Sequence, residues 1–366
     1  MLSILAEFFC VAARRYNQPT MNSATPQAPA IASHQPLQAL NTLGIAAIAS
    51  AYLRVTSYSD LQAVRADPNL LTLPRLVLGG GSNLVLSADF DGLVLHLANQ
   101  GEMIVSEDDT HVVVRAQAGE NWHEFVQWTL THNLPGLENL SLIPGSVGAS
   151  PIQNIGAYGS ELKDFFHSLT YFDFAIGEVC MLDRDACRFG YRDSIFKHEL
   201  RNRAVILDVS FALPRSWQAN LSYTELAKEL AASGLATPSA HEISEAVIAI
   251  RRRKLPDPAV VGNVGSFFKN PVVTQEIHVA LQEKYPQLVS YPQADGSVKL
   301  AAGWMIDQCG WKGRSLGPAG VHEKQALVLI NRGGATGADI LKLAHAIHDD
   351  VRERFGVMLE IEPVVV

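Results

Sequence analysis

The chain has 366 residues, of which 48% are hydrophobic and 18% charged, so it is long enough for two or three soluble domains with a large core. Its formal charge of −8 argues against general binding to nucleic acids or anionic membranes, which depends on clustered lysine and arginine. The four cysteines form neither a CxxC pair nor a cluster with zinc spacing, which favours reduced thiols in the cytoplasm and no metal site.

The sequence of the first 35 residues does not predict a folded domain. Glu7 interrupts their apolar stretch, and Arg14 and Arg15 follow it, whereas a secretory signal places positive charge first. The apolar stretch is too short to span a bilayer. The Pro/Ala/Ser/Gln-rich segment that follows is typical of disordered chain. We therefore expect residues 1–35 to be a disordered extension.

Strand and helix signals then mix without regular alternation. Ser57 and Asp60 have the spacing of a capping box, which predicts a short helix. RLVLGGGSNLVLS predicts a strand, a glycine turn and a strand, and GLVLHLA and HVVVRAQAG predict further strands. NWHEFVQWTLTHNLPG predicts a helix that Asn121 and Glu124 cap.

The second half continues the mixed pattern. SLTYFDFAIGEVCMLDRDAC predicts a hairpin around Gly177, and SAHEISEAVIAIRRRKLPDP predicts a helix from about Ser239 that Pro256 ends. The last helix places apolar residues on one face and stops at Gly356. These signals together predict an α+β fold.

Two glycine-rich segments are candidates for ligand binding. Consecutive glycines in GGGSN let backbone N–H groups approach a phosphate, although a plain tight turn is the alternative. The sequence after it is strand-like, whereas a dinucleotide GxGxxG motif must open a helix. The segment from Pro144 to Gly159 is a long loop rich in glycine and amides, which favours a binding site over a simple crossover.

Three further stretches carry polar groups in defined surroundings. In CRFGYRDSIFK, Arg192 could bind a carboxylate or phosphate, or could form a surface pair with Asp193. In RRRKLPDP, Lys254 could meet a diphosphate or could only favour the helix C-terminus. In VGNVGSFFKNPVV, Gly265 precedes Ser266 and two phenylalanines follow it, which predicts a partly buried turn that presents a hydroxyl.

Taken in order, these motifs resemble those of the UDP-N-acetylenolpyruvoylglucosamine reductase (MurB) family in its longer, type I form. The resemblance extends from about Pro36 to Val364 and includes LENLSLIPGSVGASPIQNIGAYG, YPQADGSVKLAAGWMIDQCG and VHEKQALVLIN. It implies an FAD-binding domain of the vanillyl-alcohol-oxidase (PCMH) type in two subdomains, plus a separate α/β substrate-binding domain. The implied ranges are 36–101 with 357–366 for the first subdomain, 102–254 for the second, and 255–356 for the substrate-binding domain.

The resemblance also implies an activity. Non-covalent FAD would take electrons from NADPH and pass a hydride from its N5 to the enolpyruvyl methylene carbon of a UDP-sugar. The product would be UDP-N-acetylmuramate, for peptidoglycan synthesis and hence cell shape and division. A cytoplasmic monomer without membrane or nucleic-acid partners is expected.

Individual residues match the family's functional positions. Arg192 matches the group that stabilises developing negative charge, Ser266 the proton donor and Glu362 the catalytic glutamate. Glu362 rests on the motif register alone, because Glu360 lies two residues away and Pro363 departs from the family pattern. The implied substrate-binding residues are Tyr223, Lys254, Asn270 and Gln325. The implied FAD-binding residues are Gly79, Gly80, Gly81, Ser82, Asn83, Pro144, Gly145, Ser146, Gly148, Ala149, Gln153, Asn154, Gly156, Ala157, Tyr158 and Gly159.

Two other classes of protein remain as alternatives. A different FAD oxidase would keep GGGSN and the long loop, but would have no reason to carry GSFFKN and RRRKLPDP. A non-catalytic flavin-binding protein would be expected to lose Ser266, Arg192 or Glu362, and all three are present.

Overall fold

The computed structural model describes residues 14–15, 30–235 and 237–366. The helices are α1 (Tyr58–Ala66), α2 (Pro68–Leu71), α3 (Trp122–Thr131), α4 (Thr224–Ala232), α5 (Ala240–Lys254), α6 (Gln275–Lys284), α7 (Ala302–Gln308) and α8 (Gly337–Phe355). The strands are β1 (Arg14–Arg15), β2 (Ala32–Pro36), β3 (Ile48–Val55), β4 (Arg75–Leu78), β5 (Leu84–Val85), β6 (Phe90–Leu97), β7 (Glu102–Glu107), β8 (His111–Gln117), β9 (Gly156–Ala157), β10 (Ser160–Glu161), β11 (Phe166–Asp173), β12 (Glu178–Asp183), β13 (Ala204–Pro214), β14 (Gly262–Ser266), β15 (Val272–Val273), β16 (Ser290–Pro292), β17 (Val298–Leu300), β18 (Ser315–Leu316), β19 (Ala319–Val321), β20 (Val328–Asn331) and β21 (Val364–Val365).

The chain divides into two compact units. The first contains the described residues up to Gln35, together with Ala49–Gly80 and Asp91–Arg251. The second contains Pro36–Ile48, Gly81–Phe90 and Arg252–Val366. The expected substrate-binding domain, 255–356, therefore lies in the second unit with the C-terminal residues 357–366. The expected division of the FAD-binding part at residue 101 stays a prediction.

The first unit is built on two sheets. Six antiparallel strands follow the order β1-β12-β11-β13-β8-β7, and four strands follow the order β2-β3-β6-β4. Helix α3 adds Trp122 and Phe125 to the core, where both rings pack against Phe211 of β13 at centroid distances of 5.8 and 5.3 Å. This packing supports the loop that follows α3 in the sequence.

The second unit has smaller sheets and one long helix. Its main sheet follows the order β14-β20-β19-β18, a second follows β15-β17-β16, and β21 pairs in parallel with β5. Helix α8 buries an apolar stripe with helical spacing. The buried members of the stripe are Ile340, Leu343, Ala344, Ile347, Val351 and Phe355.

Several local predictions are confirmed. Ser57 and Asp60 form the expected capping box of α1, and Asn121 accepts a hydrogen bond from the backbone of Glu124 at the start of α3. The hairpin of β11 and β12 turns at Gly177, whose φ is 76°. Helix α8 ends at Gly356 with φ of 68°, a left-handed conformation that favours glycine.

The folded chain begins before the expected residue 36. Ala32–Pro36 forms strand β2 beside β3, because pairing at a sheet edge satisfies backbone groups whatever the composition of the segment. Arg14–Arg15 pairs with Cys180 and Met181 of β12. The rest of the expected extension, residues 1–13 and 16–29, lies outside the described residues. Among the helices that the structure describes, none has the length and apolar character needed to cross a membrane.

Candidate active site

The glycine turn after β4 lies against the loop that begins at Pro144. A Cβ atom on Gly79 would lie 2.3 Å from Ser146 Oγ, and one on Gly80 would lie 3.0 Å from the Cα of Gly145. The contact at Gly80 is with backbone, so a larger residue there would require the backbone to shift, whereas the contact at Gly79 is with a side-chain hydroxyl. Gly80 is therefore required by the close approach of two main chains, as expected for a cradle built from backbone groups.

Ser146 supplies a polar group that the protein itself does not use. Ser146 is buried, and its Oγ has no hydrogen-bond partner among residues 14–15, 30–235 and 237–366. A buried hydroxyl without a partner costs free energy, so its presence points to a ligand that supplies the missing hydrogen bond. The polar oxygens of FAD fit this requirement, since a hydroxyl can donate to phosphate.

The far end of the loop is held in a strained backbone. Asn154 and Tyr158 have φ values of 42° and 49°, which are unusual for residues other than glycine. Asn154 is fully buried and its amide donates to Glu161 and to the carbonyl of Gly190, at 3.1 and 3.0 Å. Its side chain therefore shapes the loop, whereas its predicted contact with FAD stays a prediction.

Tyr158 connects this loop to Tyr223. The two rings meet edge to face, with centroids 5.2 Å apart. Burial raises the pKa of Tyr158 to about 12, although the nearby Arg251 guanidinium acts in the opposite direction. Tyr158 is therefore neutral at physiological pH. Tyr223 is 41% exposed, so this aromatic side chain remains accessible to a ligand.

Arg192 is fixed against the same loop. Its φ is 55°, its Nη2 donates to the carbonyl of Gly156 at 3.0 Å, and its guanidinium lies 5.7 Å from the ring centroid of Tyr191. Asp193, the neighbour that could have formed a surface pair with Arg192, hydrogen-bonds to His198 at 2.8 Å. Of the predicted catalytic residues, Arg192 belongs to the first unit, and Ser266 and Glu362 belong to the second.

Ser266 ends strand β14 and is exposed. Gly265, the residue before Ser266, has φ of 70°, a left-handed conformation that favours glycine. A Cβ at this position would meet nothing within 4 Å, so the reason for glycine is the backbone conformation and not a lack of space. Phe267 and Phe268 are buried, with ring centroids 5.4 Å apart. The predicted turn is confirmed: two buried rings anchor it and one hydroxyl is presented.

The C-terminal segment pairs with this turn. Lys269 N donates to Glu360 O and Glu362 N donates to Phe267 O, both at 2.9 Å, and Phe268 forms a bridge with Ile361. The Lys269 ammonium also forms an ion pair with the carboxylate of Glu360, whose side chain is 71% exposed. The structure therefore brings Glu362 next to the turn of Ser266. Lys269 was not predicted, although it lies within the GSFFKNP motif.

The other predicted residues take separate places. Asn270 Oδ1 accepts from Ala302 N at 3.0 Å, and a Cβ on Gly303 would lie 3.3 Å from Gln325 Oε1, so both side chains adjoin the start of α7. Lys254 is the last residue of α5.

The remaining predicted FAD-binding residues lie in the glycine turn and the long loop. A Cβ on Gly81 would meet Leu40 O at 2.0 Å, Ser82 follows Gly81 in the same turn, and Asn83 O accepts a hydrogen bond from Val364 N. The other predicted residues of the loop are Pro144, Gly148, Ala149, Gln153, Ala157 and Gly159.

Residues 257–366 match the UDP-N-acetylenolpyruvoylglucosamine reductase C-terminal domain family, and residues 49–183 match the FAD binding domain family. A UDP-N-acetylenolpyruvoylglucosamine reductase from Paraburkholderia phymatum is 59% identical over 331 residues, covering 90% of this chain and 96% of the relative. One from Burkholderia mallei is 56% identical over 330 residues, covering 90% and 95%. The chain belongs to the UDP-N-acetylenolpyruvoylglucosamine reductase family.

Membership of this reductase family agrees with the observed fold. The crystal structure of UDP-N-acetylenolpyruvylglucosamine reductase (MurB) from Thermus caldophilus matches with a TM-score of 0.63 at 23% identity, covering 92% of this chain and 98% of that chain. The predicted fold class is confirmed: it is α+β, with an FAD-binding domain and a C-terminal domain of the reductase family.

We predict that Ser146→Ala weakens FAD binding without destabilising the apoprotein. The substitution removes a hydroxyl that lacks a protein partner, so the apoprotein should melt at an equal or higher temperature. The Kd for FAD should rise about tenfold, the usual effect of losing one hydrogen bond to a charged group. Thermal melting of the apoprotein and fluorescence titration with FAD measure the two effects.

Ser150→Ala is the matched control for this prediction. Ser150 is buried in the same loop, but its Oγ donates to Val147 O at 2.6 Å. This variant should lower the melting temperature of the apoprotein. If Ser146→Ala instead lowers the melting temperature and leaves the Kd for FAD unchanged, Ser146 has only a structural role.

Proposed function

We propose that this chain reduces UDP-N-acetyl-enolpyruvoylglucosamine to UDP-N-acetylmuramate with NADPH, a step in peptidoglycan precursor synthesis. The observation that carries the proposal is that Ser266 is exposed and is followed by two buried phenylalanines. Backbone hydrogen bonds join this turn to the segment that contains Glu362. Membership of the reductase family supports the same activity. When bound, FAD supplies the two-electron chemistry that carries a hydride from NADPH to the enolpyruvyl methylene carbon.

Ser266 has the chemistry of a proton donor in this reaction. Hydride addition to the methylene carbon leaves negative charge on the neighbouring carbon, which must gain a proton to complete the product. A serine hydroxyl is a weak acid, but a carbanion is a strong base, so proton transfer from Ser266 Oγ runs downhill. The left-handed backbone at Gly265 and the buried rings after Ser266 support a fixed direction for the hydroxyl.

Arg192 has the chemistry of a charge stabiliser. The negative charge that develops beside the substrate carboxylate spreads into that carboxylate, and a guanidinium is permanently protonated. A guanidinium carries five N–H donors in one plane, and the Nη2 of Arg192 donates to Gly156 O. That bond also holds the group in place before substrate arrives, so less conformational entropy is lost on binding.

The contacts of Glu360 favour Glu362 as the catalytic carboxyl. The Glu360 carboxylate forms an ion pair with Lys269, and its side chain is 71% exposed. A carboxylate held by Lys269 is less available to the substrate, which leaves Glu362 as the proposed catalytic carboxyl. Tyr223, Lys254, Asn270 and Gln325 remain the proposed ligands of the UDP-sugar.

The reaction itself gives the first test. The purified protein should contain acid-releasable FAD, and it should oxidise NADPH rapidly only when UDP-N-acetyl-enolpyruvoylglucosamine is present. UDP-N-acetylglucosamine lacks the enolpyruvyl group and is the control substrate, which should leave NADPH unchanged. Equally fast NADPH oxidation with and without the enolpyruvyl substrate would identify a flavin oxidase instead.

Ser266→Ala should separate the two half-reactions. Reduction of the bound flavin by NADPH needs no proton from Ser266 and should keep its rate. Reoxidation by the enolpyruvyl substrate should slow by roughly 10²–10⁴-fold, the range of a general-acid contribution. Stopped-flow absorbance of the flavin measures both rates. Ser297→Ala, which removes a hydroxyl bonded to Asp295, is the control in the same unit and should change neither. Equal slowing of both half-reactions by Ser266→Ala would indicate a structural role.

The two glutamates of the C-terminal segment should respond differently to the same substitution. Glu362→Gln should retain FAD and lower kcat strongly, whereas Glu360→Gln should lose only an exposed ion pair, which contributes about 0–1 kcal/mol. Because an amide partly imitates a protonated carboxyl, Glu362→Ala is the harsher companion. Steady-state measurement of kcat for each variant at saturating NADPH distinguishes the two glutamates. Greater damage from the Glu360 variants would shift the catalytic assignment by two residues.

A further inference from the structure

Strand β14 ends at Ser266 and contains a β-bulge directly before it. Asn263 lies opposite Ile330 of β20 and Ser266 lies opposite Val328, so β14 has an extra residue between the two pairs. An extra residue in one strand turns the side chains beside it, and bulges are common next to active sites. The direction of the Ser266 side chain therefore depends on what fixes the bulge.

The side chain of Asn263 holds the backbone within the bulge. Its Oδ1 accepts a hydrogen bond from Gly265 N at 3.0 Å. An asparagine that accepts from the N–H two residues further on forms an Asx turn, which imitates a backbone turn. A Cβ on Gly265 would meet nothing within 4 Å, so side-chain packing does not hold this residue. The hydrogen bond from Gly265 N to Asn263 restrains it instead.

The amide nitrogen of Asn263 is held by the connection between α5 and β14. Its Nδ2 donates to Pro256 O at 3.1 Å and to Val261 O at 2.9 Å. An amide nitrogen carries two N–H donors, and two carbonyls accept from this one. Asn263 is only 3% exposed, so rotation of its side chain would leave buried polar groups unsatisfied. The amide is therefore fixed with its oxygen towards Gly265.

The backbone of Asn263 is also held in place. Asn263 N donates to Thr42 O at 2.9 Å, and Thr42 Oγ1 donates to Asn263 O at 2.6 Å. A Cβ on Gly262 would lie 2.3 Å from Leu43 O, so the residue before Asn263 lies against the same segment. All of these residues belong to the second unit. Asn263 is thus a fixed point at which the bulge begins.

We propose that Asn263 is a positioning residue for the proton donor: its Oδ1 holds Gly265 N and thereby sets the direction in which the bulge presents Ser266 Oγ. The proposal rests on the proposed function, in which Ser266 protonates the substrate carbon. Proton transfer requires the donor within hydrogen-bond reach of the atom that receives the proton. A displacement of about 1 Å in a reacting group can cost roughly 10²-fold in rate.

Asn263→Ala and Asn263→Ser together give the direct test. Both variants lose the two bonds from Nδ2, but a serine hydroxyl can still accept from the N–H two residues further on. Asn263→Ala should slow reoxidation of the flavin by the enolpyruvyl substrate roughly 10²-fold. Asn263→Ser should slow reoxidation less, and neither variant should change the rate of flavin reduction by NADPH. Stopped-flow absorbance of the FAD-loaded protein measures both half-reactions.

Asn331→Ala is the matched control for general loss of structure. Asn331 Oδ1 also accepts from an N–H two residues further on, that of Gly333 at 2.9 Å, and its Nδ2 donates to Leu43 O at 2.9 Å. It lies in the same unit at the end of β20, outside the bulge. This variant should lower the melting temperature and leave both half-reactions unchanged.

A double-mutant cycle identifies the group on which Asn263 acts. In a Ser266→Ala background, Asn263→Ala should not slow reoxidation further, because the hydroxyl that it positions is gone. If Asn263→Ala does not fold, Asn263→Leu takes its place in the cycle, since leucine is of similar size and has no hydrogen-bonding group. The proposal is overturned if both half-reactions slow equally, if the melting temperature falls without a change in reoxidation, if Asn263→Ser is as slow as Asn263→Ala, or if the effects of Asn263→Ala and Ser266→Ala are additive.

The outcomes also separate this proposal from the function on which it rests. If the wild-type protein does not reduce the UDP-sugar, or if Ser266→Ala reoxidises at the wild-type rate, the proposed function is wrong in that step and the positioning role falls with it. If Ser266→Ala slows reoxidation and Asn263→Ala does not, only the positioning role is wrong.

Discussion

The pairing of Phe267–Lys269 with Glu360–Glu362 is the constraint on which the proposed proton chemistry depends. Two backbone hydrogen bonds of 2.9 Å join segments that lie far apart in sequence. Side chains alternate between faces along an extended segment, so a slip of one residue would turn Glu362 to the opposite face. The buried rings of Phe267 and Phe268 and the ion pair between Lys269 and Glu360 oppose such a slip. The exposed ion pair contributes little to stability by itself, and its significance lies in fixing which glutamate adjoins the turn.

The first unit solves a different problem, which is how to bring backbone close to a large cofactor. The turn at Gly79 and Gly80 touches the loop at Gly145 and Ser146 so closely that a side chain on Gly80 would meet the backbone of Gly145. Close packing of two irregular segments normally leaves polar groups to be satisfied. Here the N–H groups that follow are used within the protein, as Val147 N donates to Glu120 O. The Ser146 hydroxyl lies at this contact and has no partner among the described residues, so it points to FAD.

Local signals in the sequence predicted local structure well. The capping box at Ser57 and the helix end at Gly356 each depend only on residues within one helical turn of the cap, so the local sequence is enough to predict them. Contacts between distant residues gave no such signal. Glu138 reads as an ordinary surface glutamate, and only the tertiary structure places Trp217 against it. Composition likewise suggested disorder up to residue 35, but a strand at a sheet edge draws its hydrogen bonds from its neighbour, which composition does not report. Motif resemblance supplied the proposed functional residues, which periodicity could not.

Two of the left-handed residues of the first unit are ones for which a functional role is proposed. Tyr158 and Arg192 both have positive φ, at a cost of about 1–2 kcal/mol each relative to glycine. Glycine would relieve the strain at either position, and the chain uses glycine at many other positive-φ positions, such as Gly159 directly after Tyr158. A side chain kept under strain must therefore contribute something that glycine cannot. For Arg192 this is a guanidinium held on Gly156 O, and for Tyr158 it is the ring against which Tyr223 packs. The strain and the contacts agree with the functional roles proposed for these two residues.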